Sequence, residues 1–355
     1  MRAELEPVIS RKKEELPLGI TIVTPEDGLV DEVQADWLTF LLCQMYVEHG
    51  ITKNRDRLLA DIAVGNCKIW FALKEGRPIG SAALIKQSDG SVEVGRAVSL
   101  HKSVGGLLML MAVADHLATS TTPVVAEVRV SDNFAGVSSG EATQIVCFKH
   151  LGLNPQALVP AFNHGEPIRQ EMFVFSSSKK IEAKAPVILP ADKASLDLIA
   201  GTALAMASDA FADGLSVKVS SEFPFTPKWN LVRQEPFSLV VAGDGGSDLS
   251  TVLAAAEGRS PFTLIPLSAK WGNTTAIVEC LNEGFVPCGF DRNVNNDGHP
   301  VLLLGKLREG TLLAPIKIVN GLLSSNVEAA IRRINQSFKS SVRVGMGVRS
   351  RVMVS

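Results

Sequence analysis

Net charge is almost absent from this chain: 35 lysines and arginines stand against 37 aspartates and glutamates in 355 residues, for a formal charge of −2. No global field draws the protein to nucleic acid or to an anionic membrane surface, so any partner must be read locally. Long apolar runs are lacking too. The longest, from Gly105 to Ala114, is closed by Asp115 and His116 well short of a membrane span, and no membrane partner is expected. Cysteine is scarce and scattered. Cys43, Cys67, Cys147, Cys280 and Cys288 show no metal-ligand spacing, and an odd count suits a reducing compartment, so no metal is expected. The opening residues, MRAELEPVISRKKEELPLG, mix both charge signs and have no apolar centre. They read as a polar leader over 1–18, neither a secretory signal nor a transit peptide, and the expected address is cytoplasmic.

What is present is ordinary globular material, 46% hydrophobic and 20% charged, in a chain long enough for two domains. The most informative stretch runs from Ser91 to Leu117, where an apolar strand meets a loop with two glycines and then an apolar helix. Such a loop offers unpaired backbone N–H groups and the positive end of a helix dipole to an anion. That is a phosphate seat.

Around it, GITIV at Gly19–Val23 reads as a first strand, and the spacing of Val30, Val33, Trp37, Phe40, Leu41 and Met45 as an amphipathic helix. A second helix spans Asn54–Val64. Lys68–Leu73 and Pro78–Lys86 read as a hairpin, Val92–Leu100 as a third antiparallel strand, and Pro123–Val130 as a strand after the apolar helix. A helix near Glu141–His150 and a closing hairpin ending at Phe175 complete the unit. Lys179–Lys184 reads as a linker. Beyond it the pattern repeats: strand Phe237–Ala242, loop Gly243–Gly246, helix Leu249–Glu257, strand Phe262–Ser268, a helix ending at Cys280–Phe285, and the strand after His299-Pro300. Asp192 is a plausible cap for a helix through Leu196, Ile199 and Met206. Val327, Ile331 and Ile334 mark a short helix, and the basic tail from Lys339, with Arg343, Arg349 and Arg351, is expected to be mobile.

The order strand, two helices, three strands, helix, strand, helix, two strands resembles the GNAT acetyltransferases over roughly Gly19 to Ser176. Three features carry the resemblance: the glycine loop, the strand Pro123–Val130, and Phe148-Lys149-His150-Leu151-Gly152-Leu153. The last is similar to the family's Tyr-x-x-x-Gly-Phe helix ending. The resemblance implies an α+β fold, a mostly antiparallel sheet flanked by helices, with acyl-CoA as co-substrate and an amine as acceptor. It further implies that the loop seats the pyrophosphate and that the strand Pro123–Val130 parts from its neighbour to admit the pantetheine arm. The chain departs from the family's pattern at Leu107, where a small residue is usual, and at Phe148, where a tyrosine often protonates the leaving thiolate. Domains are expected at 19–178 for the acyl-CoA-binding unit, 186–308 for a second, degenerate lobe of the same build, and 309–355 for a C-terminal helix and tail.

The reading is therefore an N-acyltransferase moving an acyl group, expected to be acetyl, to an amine of a small molecule or protein. The alternative is a binding or scaffold protein that kept the fold and lost the chemistry. Leu100, Lys102, Ser103, Val104, Gly105 and Gly106 are the co-substrate seat. Glu93, on the strand before the loop, and Glu127, on the next strand, are candidate bases, since burial beside the co-substrate would raise a carboxylate toward neutrality. The plainer alternative pairs Glu93 with Arg96 and Glu127 with Arg129. His101, adjoining the loop, is the third catalytic candidate and the best placed of the six histidines; His150 and His164 fall near the acceptor side. Cys280 stands in the tyrosine position of the second lobe. Nucleic acid is not an expected partner, because the tail's arginines lack aromatic neighbours. The oligomeric state stays open.

Overall fold

The computed structural model describes residues 2–27, 32–45, 55–101, 104–132, 140–163, 169–221, 227–233, 238–242, 246–257 and 260–349. They form two compact units, one of Met1–Leu153 with Ser176–Lys179 and Lys317–Leu322, the other of Asn154–Phe175, Lys180–Ile316 and Leu323–Ser355. The closing hairpin, expected within 19–178, thus falls with the second unit, and a short downstream segment returns to the first.

In the first unit β1 (Ile20–Val23), β2 (Cys67–Lys74), β3 (Arg77–Lys86), β4 (Val92–Ser99) and β5 (Val124–Arg129) lie side by side in chain order. The first four are antiparallel, and β5 runs parallel to β4. Glu75 and Gly76, both at positive φ, form the two-residue turn whose twist matches the β2–β3 pair. Period-two alternation then decides what each face of β2 meets. Cys67, Ile69 and Phe71 pack with Ala35, Leu38 and Leu58 of α2 (Glu32–Met45) and α3 (Arg55–Ala63), after α1 (Arg2–Glu14). Trp70 points the other way and donates from Nε1 to Asp115 Oδ2 at 3.0 Å on α4 (Val104–Thr119). The acid that ends the apolar run therefore has a structural partner.

Helix α4 is apolar all round because it is covered on two sides, by β2, β3 and β4 on one and by α1 on the other. The expected polar leader is that covering helix: Arg2–Glu14 buries Leu5 and Ile9, four residues apart on one face. The helix near Glu141–His150 is present as α5 (Glu141–Gln144), continued by a π-wound turn over Ile145–His150.

The second unit holds β6 (Asn154–Asn163), β7 (Arg169–Ser177), β8 (Val187–Pro190), β9 (Val217–Ser220), β10 (Trp229–Arg233), β11 (Ser238–Ala242), β12 (Phe262–Ser268), β13 (Val286–Val294), β14 (Pro300–Leu307) and β15 (Leu312–Leu313). Its main sheet runs β7-β6-β13-β14-β12-β11-β10, with β15 beside β7, while β8 and β9 pair separately. Helix α6 (Lys193–Ile199) begins on Asp192, whose carboxylate accepts from Ser195 N–H at 2.9 Å, and passes into a π-wound turn over Ala200–Leu204. Helices α7 (Leu249–Glu257), α8 (Thr274–Asn282) and α9 (Ser325–Arg349) follow. The core gathers Ile199, Trp229, Leu253, Ile265, Ile277 and Phe290.

The C-terminal helix, expected to be short, is longer. Helix α9 continues through Arg349, and its first half is anchored by Val327, Ile331, Ile334 and Phe338, the last edge-on to Phe262 at 6.0 Å between ring centroids. Arg351 lies outside the described residues. The burial of Leu5 carries a test: Leu5→Ala is expected to lower stability by about 2–4 kcal/mol in urea unfolding, whereas a solvated leader would leave it unchanged.

Candidate active site

Parallel β4 and β5 share two residue pairs, Val92↔Val124 and Glu93↔Val125, and no pairing follows along their remaining lengths. From Val94 and Ala126 onward the two strands part. On its other side β4 stays paired with β3, but the register jumps from Ala83↔Gly95 to Ser81↔Val98, so Ala82 faces both Arg96 and Ala97. That bulge bends the strand and leaves backbone groups out of the ladder. Arg96 takes positive φ there, and its guanidinium turns to Asp61 at 3.5 Å and to Cys67 Sγ at 3.4 Å.

The parting opens toward the loop. Six residues at ~3.3 Å each put Ser99 roughly 20 Å from Glu93, so the strand start and the loop are opposite ends of one slot. At the loop end the N–H of Leu100 donates to Ile79 O at 2.8 Å, and the N–H of Val104 to His101 O at 3.3 Å. Both were expected to face an anion, and both are bonded inside the protein. Gly105 and Gly106 are the second and third residues of α4, whose N–H groups lack a carbonyl one turn back. The seat is thus narrower than expected. Lys102 and Ser103 lie outside the described residues.

His101 is held by its backbone: its carbonyl also accepts from Ser99 Oγ at 2.6 Å, and its N–H donates to the same oxygen at 3.0 Å. It belongs to the loop end. Glu93 and Glu127 belong to the other. Since Glu93 is level with Val125 and the side-chain period is two, Glu127 sits on the same face one step along. Glu93 Oε2 accepts from Gln87 Nε2 at 2.7 Å, and Glu93 Oε1 lies where a β-carbon on Gly95 would come within 2.8 Å.

Glu127 is the exposed residue of β5. Desolvation, with the charge of Glu93 second, pushes its carboxyl up to about 8. The charge acting on Glu127 is therefore a repulsive one, not the expected Arg129.

His150 is driven down by burial and by Lys12, Lys149 and Arg11, at the basic end of α1. His164 lies outside the described residues. The thiols of Cys67, Cys147, Cys280 and Cys288 are buried and pushed up by desolvation, Cys147 to about 12, so Cys280 has no thiolate to offer near neutrality. Among the described residues no group of three or more His, Cys, Asp or Glu side chains could hold a metal, and no helix is long and apolar enough to cross a membrane.

The far end of β5 is tied by a residue the sequence did not single out. Buried Gln144 donates from Nε2 to Arg129 O and Lys317 O, and its Oε1 accepts from Val319 N–H, all at 2.9 Å. Lys317 adds its N–H to Val130 O at 2.8 Å and its ammonium to Asp132 and Glu141. This returning segment holds β5 where it has left β4.

In the second unit β11 and β12 also run parallel for two pairs, Ser238↔Thr263 and Leu239↔Leu264. Helix α7 after β11 starts differently from α4, because Asp248 occupies its N-terminus. Its carboxylate accepts from Ser250 Oγ at 2.7 Å and Thr251 N–H at 2.8 Å, which holds it down at about 2. Gly243, Asp244 and Gly245 lie outside the described residues.

No family model matches the chain and no curated protein matches it. Solved structures that are similar over part of it include acetyltransferases. An N-acetyltransferase from Staphylococcus aureus Mu50 is 11% identical, with a TM-score of 0.34, over 44% of this chain and 96% of its own. A ribosomal-protein-alanine N-acetyltransferase from Brucella melitensis is 13% identical, with a TM-score of 0.34, over 44% and 98%. A putative acetyltransferase from Salmonella typhimurium, solved with acetyl-CoA, is 18% identical, with a TM-score of 0.32, over 44% and 92%.

Raised Glu127 makes stability depend on pH with a definite sign. The folded chain keeps a proton that the unfolded chain releases between the ordinary value of 4.5 and about 8, so stability falls as pH rises through that window. Glu127→Gln is expected to remove this fall, read from urea midpoints at about pH 5 and about pH 9. An unchanged slope would place Glu127 among ordinary carboxylates.

Proposed function

We propose that the first unit binds acyl-CoA, with acetyl-CoA as the simplest donor, and moves the acyl group to a primary amine of a small molecule or protein. The observation that carries this reading is the parting of β4 from β5 after Glu93↔Val125. A sheet gives up ladder hydrogen bonds between neighbours only where something else satisfies them. A pantetheine arm, with its two amides, is such a partner. The N–H groups of Gly105 and Gly106 and the dipole of α4 favour the pyrophosphate at the slot's open end. Backbone donors freed by the bulge at Arg96-Ala97 are suited to the thioester carbonyl, whose oxygen gains charge as the amine attacks. The paired glutamates lie toward the closed end, with Glu93 Oε1 reaching back to Gly95 beside the bulge, and handle protons there.

The second unit repeats the two-pair parallel contact, which supports reading it as a second lobe of the same build. Its anion seat is filled by Asp248, which argues for a role without a co-substrate of its own.

One observation favours the alternative of a binding protein without chemistry: two of the four loop amides are already bonded, and Phe148 offers no proton. Calorimetry with acetyl-CoA, followed by transfer assays with spermidine, lysine and an alanine-initiated peptide, decides between them. The expected result is binding that Gly105→Asp weakens at least about tenfold by placing a carboxylate at the helix start, together with turnover of one acceptor. Binding without turnover would favour the scaffold, and absence of binding would remove both.

A further inference from the structure

Two features around the glutamate pair are unexplained by the fold. Gly95 does not have the positive φ that would demand glycine, and it lies in mid-strand, where glycine weakens pairing. What glycine supplies there is space, and Glu93 Oε1 occupies that space. In the register of the two strands Gly95 is level with Glu127, so the carboxylate of Glu93 leans along β4 toward its opposite number. Gln87, from the β3–β4 turn, pins the other oxygen at 2.7 Å. An N–H donor stabilises the ionised form of the carboxylate it touches, and a fixed anion nearby disfavours ionisation of the second. The two environments are pushed apart, which is how acid and base roles are divided between like groups.

Resting on the acyl-transfer reading, we propose that Glu93, positioned by Gln87 and Gly95, is the base, and that Glu127 is the acid that protonates the departing thiolate in place of the tyrosine replaced by Phe148. Ionised Glu93 takes a proton from the incoming ammonium, directly or through water. The freed lone pair attacks the thioester carbon and the C–N bond forms. The C–S bond then breaks with its electron pair on sulfur, and the Glu127 proton moves to that sulfur. The second nitrogen proton restores Glu127, and one proton per turnover leaves from Glu93 to solvent. Other charged or titratable groups near the pair are Cys67 on β2, Asp61 on α3, Arg96 on β4 and Arg129 on β5; Arg96 is engaged with Asp61 and Cys67.

Side-chain carboxyl titration by carbon NMR tests the arrangement without needing a substrate. In the wild type Glu127 is expected to titrate near 8. Gly95→Ala displaces only the far end of the Glu93 side chain, and Gln87→Leu removes its donor. Both are expected to bring Glu127 down toward the ordinary range with the fold intact by circular dichroism. A Glu127 that titrates near 4.5 in the wild type, or that ignores both substitutions, overturns the proposal. The roles are separated by the leaving group. With acetyl-CoA both Glu93→Gln and Glu127→Gln are expected to slow transfer at least about a hundredfold, the scale of general acid–base catalysis. With p-nitrophenyl thioacetate, whose thiolate leaves without a proton, only Glu127→Gln should recover. Recovery of neither or of both contradicts the assignment. A wild-type chain that shows the raised titration but binds no acetyl-CoA would instead sink the acyl-transfer reading, and the acid role with it, while the coupled pair would stand.

Discussion

Two hydrogen-bonded residue pairs between parallel strands, and their abrupt end, govern this structure. Had β4 and β5 stayed zipped beyond Glu93↔Val125, Glu127 would face Gly95 inside a closed ladder, and the first unit would be a plain sheet with helices on it. Because they part, the face of β5 that carries Glu127 is left open, with Glu93 on the same side of the neighbouring strand. The divergence has to be enforced from outside. The bulge bends β4 while β3 keeps hold of it, and the Gln144 clamp with the returning Lys317 segment secures the end of β5. Each side thus has its own restraint.

Charge is arranged along this slot in opposite senses at its two ends. At the loop the start of α4 presents partial positive charge from its glycine amides, while Leu100 and Val104 spend theirs on holding the turn. At the closed end Glu93 and Glu127 share one face, and the charge of Glu93 is second to desolvation in raising Glu127. A ligand anionic at one end and meeting a cationic amine at the other matches that polarity. The second unit shows the contrast: the same local strand geometry with Asp248 at the helix start presents no such gradient.

Much of this was legible in the sequence because it rests on local rules. Strand alternation, the turn at Glu75-Gly76, the Asp192 cap, the apolar periodicity of α2 and the unbroken apolar run of α4 all follow from short-range pattern. What was missed depends on distant partners. The leader's Leu5 and Ile9 look like isolated apolar residues in a charged segment until α4 is there to receive them. The tail after Lys339 lacks a stop signal, and its continuation as helix follows from α9 already being anchored by Ile331, Ile334 and Phe338. Among the site residues, Glu93 and Glu127 could be foreseen as candidate carboxylates on neighbouring strands. That Arg96 would turn to Asp61 could not, because it follows from a bulge that no short motif announces. Gln87 and Gly95 carry no chemistry that a sequence search would flag, and their meaning appears only once the carboxylate they position is seen. The loop amides were over-counted because a glycine-containing turn has its own backbone needs.

The central claim is that the gap between β4 and β5 holds a nucleotide thioester. Amide hydrogen exchange on the wild-type chain, with and without saturating acetyl-CoA, addresses it directly. The account requires slowed exchange at 94–99 on β4, at 126–129 on β5 and at Gly105 and Gly106, with β10 and β11 of the second unit unaffected. Exchange unchanged along both strands, or slowed only in the second unit, would contradict it.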